Sequence, residues 1–103
     1  VASIGLTEQQ LVDDAIEFKV AKSFFIANGK AVAVGATDGF IKMLVGKKGN
    51  ILGAHIVGSN ATEMISELSV IKSNNLTVNS VLESVHPHPT FSEAIFETLL
   101  QLK

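Results

Sequence analysis

The chain contains no cysteine, which excludes disulfides and cysteine-based metal or redox centres within it. Charge is scarce. Only 17% of residues are Asp, Glu, Lys or Arg, while 47% are hydrophobic, against about 25% charged in an average globular domain. So little charge implies that part of the outer surface is covered in use, by a partner or a neighbouring domain. The net charge is −2 and the lysines are scattered, so no basic face for nucleic acid is expected. No apolar run approaches the roughly 20 residues of a membrane-spanning helix, and the first residues carry no signal-peptide pattern. The cytoplasm of a bacterium and the mitochondrial matrix are both compatible with this composition. The chain opens without Met, at Val1-Ala2-Ser3-Ile4-Gly5, in what reads as a strand, so it is expected to be a piece of a longer protein.

A length of 103 residues predicts one domain, residues 1–103, able to bury roughly 60–70% of the surface its unfolded chain exposes. Thr7-Glu8-Gln9-Gln10 fits a capping box and predicts a helix over 8–14. Residues 17–26 read as a strand and Asn28-Gly29 as a turn. Residues 30–35 are small and apolar, compatible with a short strand, a helical turn or irregular chain. Phe40 to Val45 and Ile51 to Gly58 flank the glycine-bracketed loop 46–50, an antiparallel hairpin. The second run is apolar nearly throughout and is expected to be central, covered on both faces. That loop, Gly46-Lys47-Lys48-Gly49, lacks the spacing and the strand–helix setting of a phosphate-binding loop.

Asn60-Ala61-Thr62-Glu63 starts a helix whose stripe of Ala61, Met64, Ile65, Leu68 and Ile71 continues to about Ser73. A short helix follows over Thr77 to Leu82, and a last one begins after Thr90 and runs to about Leu102. The last helix is apolar on more than one face, so it is expected to pack on its own sheet and on something else. These elements make an α+β domain, an antiparallel sheet with helices packed against it.

Both prolines and two of the three histidines fall in His86-Pro87-His88-Pro89, followed by Thr90-Phe91-Ser92-Glu93. Imidazole exchanges its proton near neutral pH, and a carboxylate beside it holds the ring. Proline on both sides of His88 stiffens the backbone that presents it. Thr90-Phe91-Ser92-Glu93 is also a capping box, with Glu93 turned back onto the Thr90 N–H. Glu93 has two oxygens, so capping and holding His88 are compatible. His86 and His88 alone fall short of a zinc ligand set. His55, in an apolar strand, reads as a satisfied core or interface residue. Ser92 has no nucleophile elbow around it.

The tract His86-Pro87-His88-Pro89-Thr90-Phe91-Ser92-Glu93 resembles the C-terminal signature of the dihydrolipoamide dehydrogenases, flavoproteins of the pyridine-nucleotide disulfide oxidoreductase family. The resemblance spans essentially the whole chain. Residues 1–8 are similar to the opening of that family's last domain, residues 37–42 and 51–58 to its central hairpin, and Glu63-Met64-Ile65 to its long helix. It implies the fold of the FAD/NAD-linked reductase C-terminal dimerisation domain, with His88 as catalytic base and Glu93 as its carboxylate partner. His88 and Pro89 would border the FAD region of a partner subunit, and the His88–Pro89 peptide would be cis.

The resemblance further implies a homodimer formed through this domain and FAD and NAD held by other domains of the parent chain. It also implies work with the lipoamide-bearing acyltransferase subunit of 2-oxo acid dehydrogenase complexes. The isolated fragment would be inactive and hold neither cofactor nor metal. Pro87 departs from the family, where a small residue such as alanine is common. The rivals are the equivalent domain of a glutathione reductase-like enzyme, whose motif tends to lack the preceding His-x, and a purely structural dimerisation module.

Overall fold

The computed structural model describes residues 1–102. Four strands, β1 (Ala2–Gly5), β2 (Phe18–Phe24), β3 (Phe40–Gly46) and β4 (Ile51–Val57), form one sheet in the order β1-β4-β3-β2, with every neighbouring pair antiparallel. Five helices accompany them: α1 (Glu8–Asp13), α2 (Gly29–Val34), α3 (Ala61–Ser73), α4 (Val78–Glu83) and α5 (Glu93–Leu100). The α+β antiparallel class expected from the sequence is the one observed.

Alternation along the strands decides which residues enter the core. Ile41, Met43 and Val45 of β3, Ala54 and Ile56 of β4 and Ala2 of β1 point to one face and are buried. Against them lie Ala61, Met64, Leu68 and Ile71 of α3 and Ala94, Ile95 and Leu99 of α5, in one cluster. The three- and four-residue spacing of these positions puts each set on one side of its helix. Helix α3 covers β1 and β4, and α5 covers β2 and β3. This geometry puts the start of α5 where the His-Pro tract ends.

The opposite face is only partly covered. Leu44 and Leu11 are completely buried yet lie outside the main cluster, and Lys42, on the Leu44 side of β3, pairs with Glu8 of α1 at 2.9 Å. Helix α1 therefore sits on this second face. Its start is the full reciprocal capping box: Thr7 Oγ1 accepts from the Gln10 N–H, and Gln10 Oε1 accepts from the Thr7 N–H. Elsewhere on this face Phe24 and Phe40 meet edge to face at 6.2 Å, with the Lys22 ammonium 4.3 Å from the Phe40 ring centre.

Several expectations shift. The second strand ends at Phe24, because Phe25 turns into the core and Phe25–Ala27 forms one 3₁₀ turn. The undecided stretch 30–35 belongs to α2, started by the Asn28 side chain and ended by Gly35 in a left-handed conformation at φ 74°. Strand β4 is interior to the sheet, but Leu52, His55 and Val57 remain half-buried, so its second face is not fully covered. Helix α5 begins at Glu93 and ends at Leu100, shorter than expected at both ends. Leu100 stays 41% exposed, while Phe91 and Leu102 pack at the edge of the core. No helix among the described residues is long and apolar enough to cross a membrane.

Candidate functional site

The turn between α4 and α5 holds the candidate His88–Glu93 pair. His88 Nδ1 lies 2.8 Å from Glu93 Oε1 and 3.1 Å from Oε2. Facing an ionised carboxylate, Nδ1 carries the proton and donates it, which leaves the Nε2 lone pair free. The His88 side chain is 76% exposed and that of Glu93 only 23%. An exposed imidazole normally samples several rotamers; this one is held from behind and presents Nε2 outward.

Glu93 also accepts from the Thr90 N–H at 3.0 Å, so it caps the helix and holds the histidine at once. Only that half of the expected capping box forms. The Thr90 hydroxyl donates instead to the Pro87 carbonyl at 2.7 Å, closing the turn on itself. The Thr90 N–H holds the Glu93 carboxyl below its ordinary value of 4.5; partial burial opposes this, and the hydrogen bond and charge of His88 add to it. On the next turn of α5, Glu97 moves the other way, raised by desolvation and then by the charge of Glu93. Glu93 is thus the carboxylate prepared to stay ionised. The His88–Pro89 peptide is cis, as the resemblance implies.

A residue that sequence reading passed over fixes the turn from the far side. Asn28, read as part of a turn, is 1% exposed. Its Oδ1 accepts from the Ala31 N–H at 2.9 Å, starting α2, and its Nδ2 donates to the Thr90 carbonyl at 3.0 Å. A buried amide with both ends satisfied ties two segments 62 residues apart. Phe25 and Phe91 pack edge to face at 6.2 Å beside it. The local sign of the first role was an N-cap residue before a helical stretch; nothing local marks the second.

The other histidines go elsewhere. His86 turns inward to Glu67, with Nε2 2.8 Å from Oε2, while His88 faces out, so the His-x-His pair does not converge on one ion. No group of three or more residues able to hold a metal occurs among the described residues. His55 has Nδ1 3.0 Å from the Ser3 hydroxyl and Nε2 3.2 Å from the Leu6 carbonyl. The carbonyl only accepts, so Nε2 carries the proton and Nδ1 takes one from Ser3. The ring links β1 to β4, a structural part.

The family described as pyridine nucleotide-disulphide oxidoreductase, dimerisation domain, matches residues 1–99. The chain belongs to this family. The resemblance stated from the His-Pro-Thr tract therefore led to the right family, and membership makes this a dimerisation domain of an oxidoreductase family. Among curated relatives, the dihydrolipoyl dehydrogenase of Zymomonas mobilis is 46% identical over 101 residues, covering 97% of this chain and 22% of that protein. The dihydrolipoyl dehydrogenase of Corynebacterium glutamicum is 47% identical over 100 residues, 94% of this chain and 21% of that one. The chain thus spans about a fifth of the length of the curated relatives it matches.

Among solved structures, LpdA from Mycobacterium tuberculosis superposes with a TM-score of 0.90 at 22% identity, over 98% of this chain and 22% of that one. The HOCl-induced flavoprotein disulfide reductase RclA from Escherichia coli gives 0.92 at 24% identity, over 98% and 23%. At these identities the likeness establishes the dimerisation-domain fold.

Proposed function

We propose that residues 1–103 are the dimerisation domain of a longer flavoenzyme that oxidises dihydrolipoamide with NAD, and that His88 and Glu93 act as its acid–base pair in the reaction centre of the partner subunit. The observation that carries this reading is the exposed imidazole with Nδ1 anchored on Glu93 and Nε2 directed outward. A group that serves its own fold has no need to be exposed and oriented together. The dihydrolipoyl dehydrogenase relatives favour lipoamide over glutathione as the disulfide handled.

In this reading His88 Nε2 takes the thiol proton of dihydrolipoamide as that sulfur attacks a redox disulfide of the other subunit. A mixed S–S bond forms, the original one breaks, and its second sulfur leaves as thiolate. An unperturbed thiol has a pKa near 8.5, so a base at the sulfur supplies the nucleophile that neutral water does not. Glu93 holds the productive tautomer and stabilises the imidazolium that forms.

Flavin and nicotinamide would carry the electrons away from the dithiol when bound. The described sheet is wholly antiparallel, whereas dinucleotides bind at the switch points of parallel βαβ units. His88 and Pro89 would be a wall of the partner's flavin region, and both cofactors would be held by other domains of the parent chain. The lipoamide-bearing acyltransferase of a 2-oxo acid dehydrogenase complex would deliver the dithiol, in the bacterial cytoplasm or the mitochondrial matrix.

Glu93→Gln tests the pair. In the full-length protein it should lower turnover of dihydrolipoamide about 10- to 100-fold, less than the loss of His88, while leaving the dimer intact. Unchanged turnover would contradict the assignment of Glu93. Stability carries a separate signature. Because the folded-state pKa of Glu93 lies below 4.5, the folded chain binds fewer protons than the unfolded one between the two values. The contribution of Glu93 to stability is therefore complete above pH 4.5 and is lost as pH falls through the folded value. Urea unfolding of wild type against Glu93→Gln should show their difference shrinking over that acid window; a difference independent of pH would contradict it.

A further inference from the structure

His86 is fixed much as His88 is, but turned into the fold. Its side chain is 8% exposed, Nε2 meets Glu67 Oε2 at 2.8 Å, and the ring tilts against Phe96 with centres 5.9 Å apart. Nδ1 is buried and makes no hydrogen bond. Phe96 restrains where the ring sits, but a flat apolar contact does not select which nitrogen points where. The rotation of the ring therefore depends on one polar contact, the Glu67 carboxylate in α3.

The consequence reaches the turn. A single residue, Pro87, separates His86 from His88, and its fixed φ transmits a displacement instead of absorbing it. The Pro87 carbonyl holds the Thr90 hydroxyl, and the Thr90 N–H holds Glu93. A shift at His86 thus arrives at both members of the pair, through the chain at His88 and through Thr90 at Glu93.

We propose that Glu67 is a positioning residue which, through His86, sets the aim of His88, so that α3 and α5 clamp the base from two sides. This rests on the acid–base reading of His88. Neither Glu67 nor His86 touches the reacting atoms in it; their effect is on where Nε2 lies.

The test uses the full-length protein with Glu67→Ala, Glu67→Gln and His88→Gln. Glu67 is half-buried on a helix where alanine is a better helix former, so the alanine variant is expected to fold, with its thermal midpoint as the check. Glu67→Ala should lower kcat for dihydrolipoamide roughly 10-fold, since a misplacement of about 1 Å can cost up to 10²-fold, and leave KM within about twofold. Electron transfer from NADH to ferricyanide needs no proton taken from a thiol and should be unchanged. Glu67→Gln keeps an oxygen acceptor for the His86 Nε2–H and should recover at least half of kcat.

An unchanged kcat in Glu67→Ala, an equal loss in Glu67→Gln, or a parallel loss of ferricyanide reduction would overturn the proposal. The His88→Gln control separates the failures. If it abolishes turnover while Glu67→Ala leaves kcat unchanged, only the positioning role falls; if it retains turnover, the reading of His88 falls and takes this proposal with it.

Discussion

Replacing His88 by Gln in the full-length protein is expected to slow dihydrolipoamide oxidation by about 10²- to 10⁴-fold, the usual worth of a positioned general base. Glutamine is chosen because its amide N–H still donates to Glu93 and its volume is close to that of imidazole. The Thr90 bonds to Glu93 and Pro87 do not involve the His88 ring, so the turn keeps its shape. What disappears is the Nε2 lone pair. With a 76% exposed ring, little packing is lost, and dimer formation and thermal midpoint should stay near wild type. The readout is kcat for dihydrolipoamide beside NADH–ferricyanide activity in the same preparation. A loss in the first alone supports the account. Near-normal dihydrolipoamide turnover would mean that the pair is a helix cap and nothing more.

Gly39→Ala should be the most damaging small substitution for the fold. Gly39 has φ 104°, and a Cβ there would sit 1.9 Å from the Val57 carbonyl oxygen. That oxygen belongs to the last residue of β4, opposite Phe40, so it moves only if the open end of the hairpin parts. Conformational strain and a backbone clash combine, and a loss of about 3 kcal/mol or more is expected. For a domain of this size each kcal/mol lowers Tm by about 4–8 °C. The damage should reach the turn as well. The Gly39 carbonyl accepts from the Phe25 N–H at 3.2 Å, and Phe25 packs on Phe91. Thermal unfolding of the chain measures the first effect; a variant with wild-type Tm would show that this hairpin end yields without cost.

What could be read from the sequence follows a physical line. The hairpin of β3 and β4 was legible because glycines bracket its loop and β-rich runs flank it. Helix α1 was legible because Thr7 and Gln10 satisfy each other's backbone groups locally. Helix α2 was not, since Ala31-Val32-Ala33-Val34 suits a strand or a helix. The Asn28 cap and the left-handed Gly35 decide it. The end of β2 was misread because Phe24 and Phe25 have the same β propensity; burial of Phe25 alone turns the chain there.

The candidate site divides the same way. His88 and Glu93 lie five residues apart in a proline-locked tract, so their pairing had a local sign. Asn28 and Glu67 act across 62 and 19 residues, and only the packing of α2 and α3 beside the turn brings them there. Thr90 looked like a cap whose hydroxyl oxygen accepts from the Glu93 N–H, yet that hydroxyl donates to the Pro87 carbonyl instead.

The most direct test mixes two inactive full-length forms, His88→Gln and one with its redox disulfide disabled, and measures dihydrolipoamide turnover after subunit exchange. If His88 serves the partner, each mixed dimer has one complete site and one that lacks both groups. Random pairing in a twofold dimer should then restore about a quarter of wild-type activity. If the base instead served its own subunit, no site in any mixed dimer would be complete, and activity remaining at background would contradict the account.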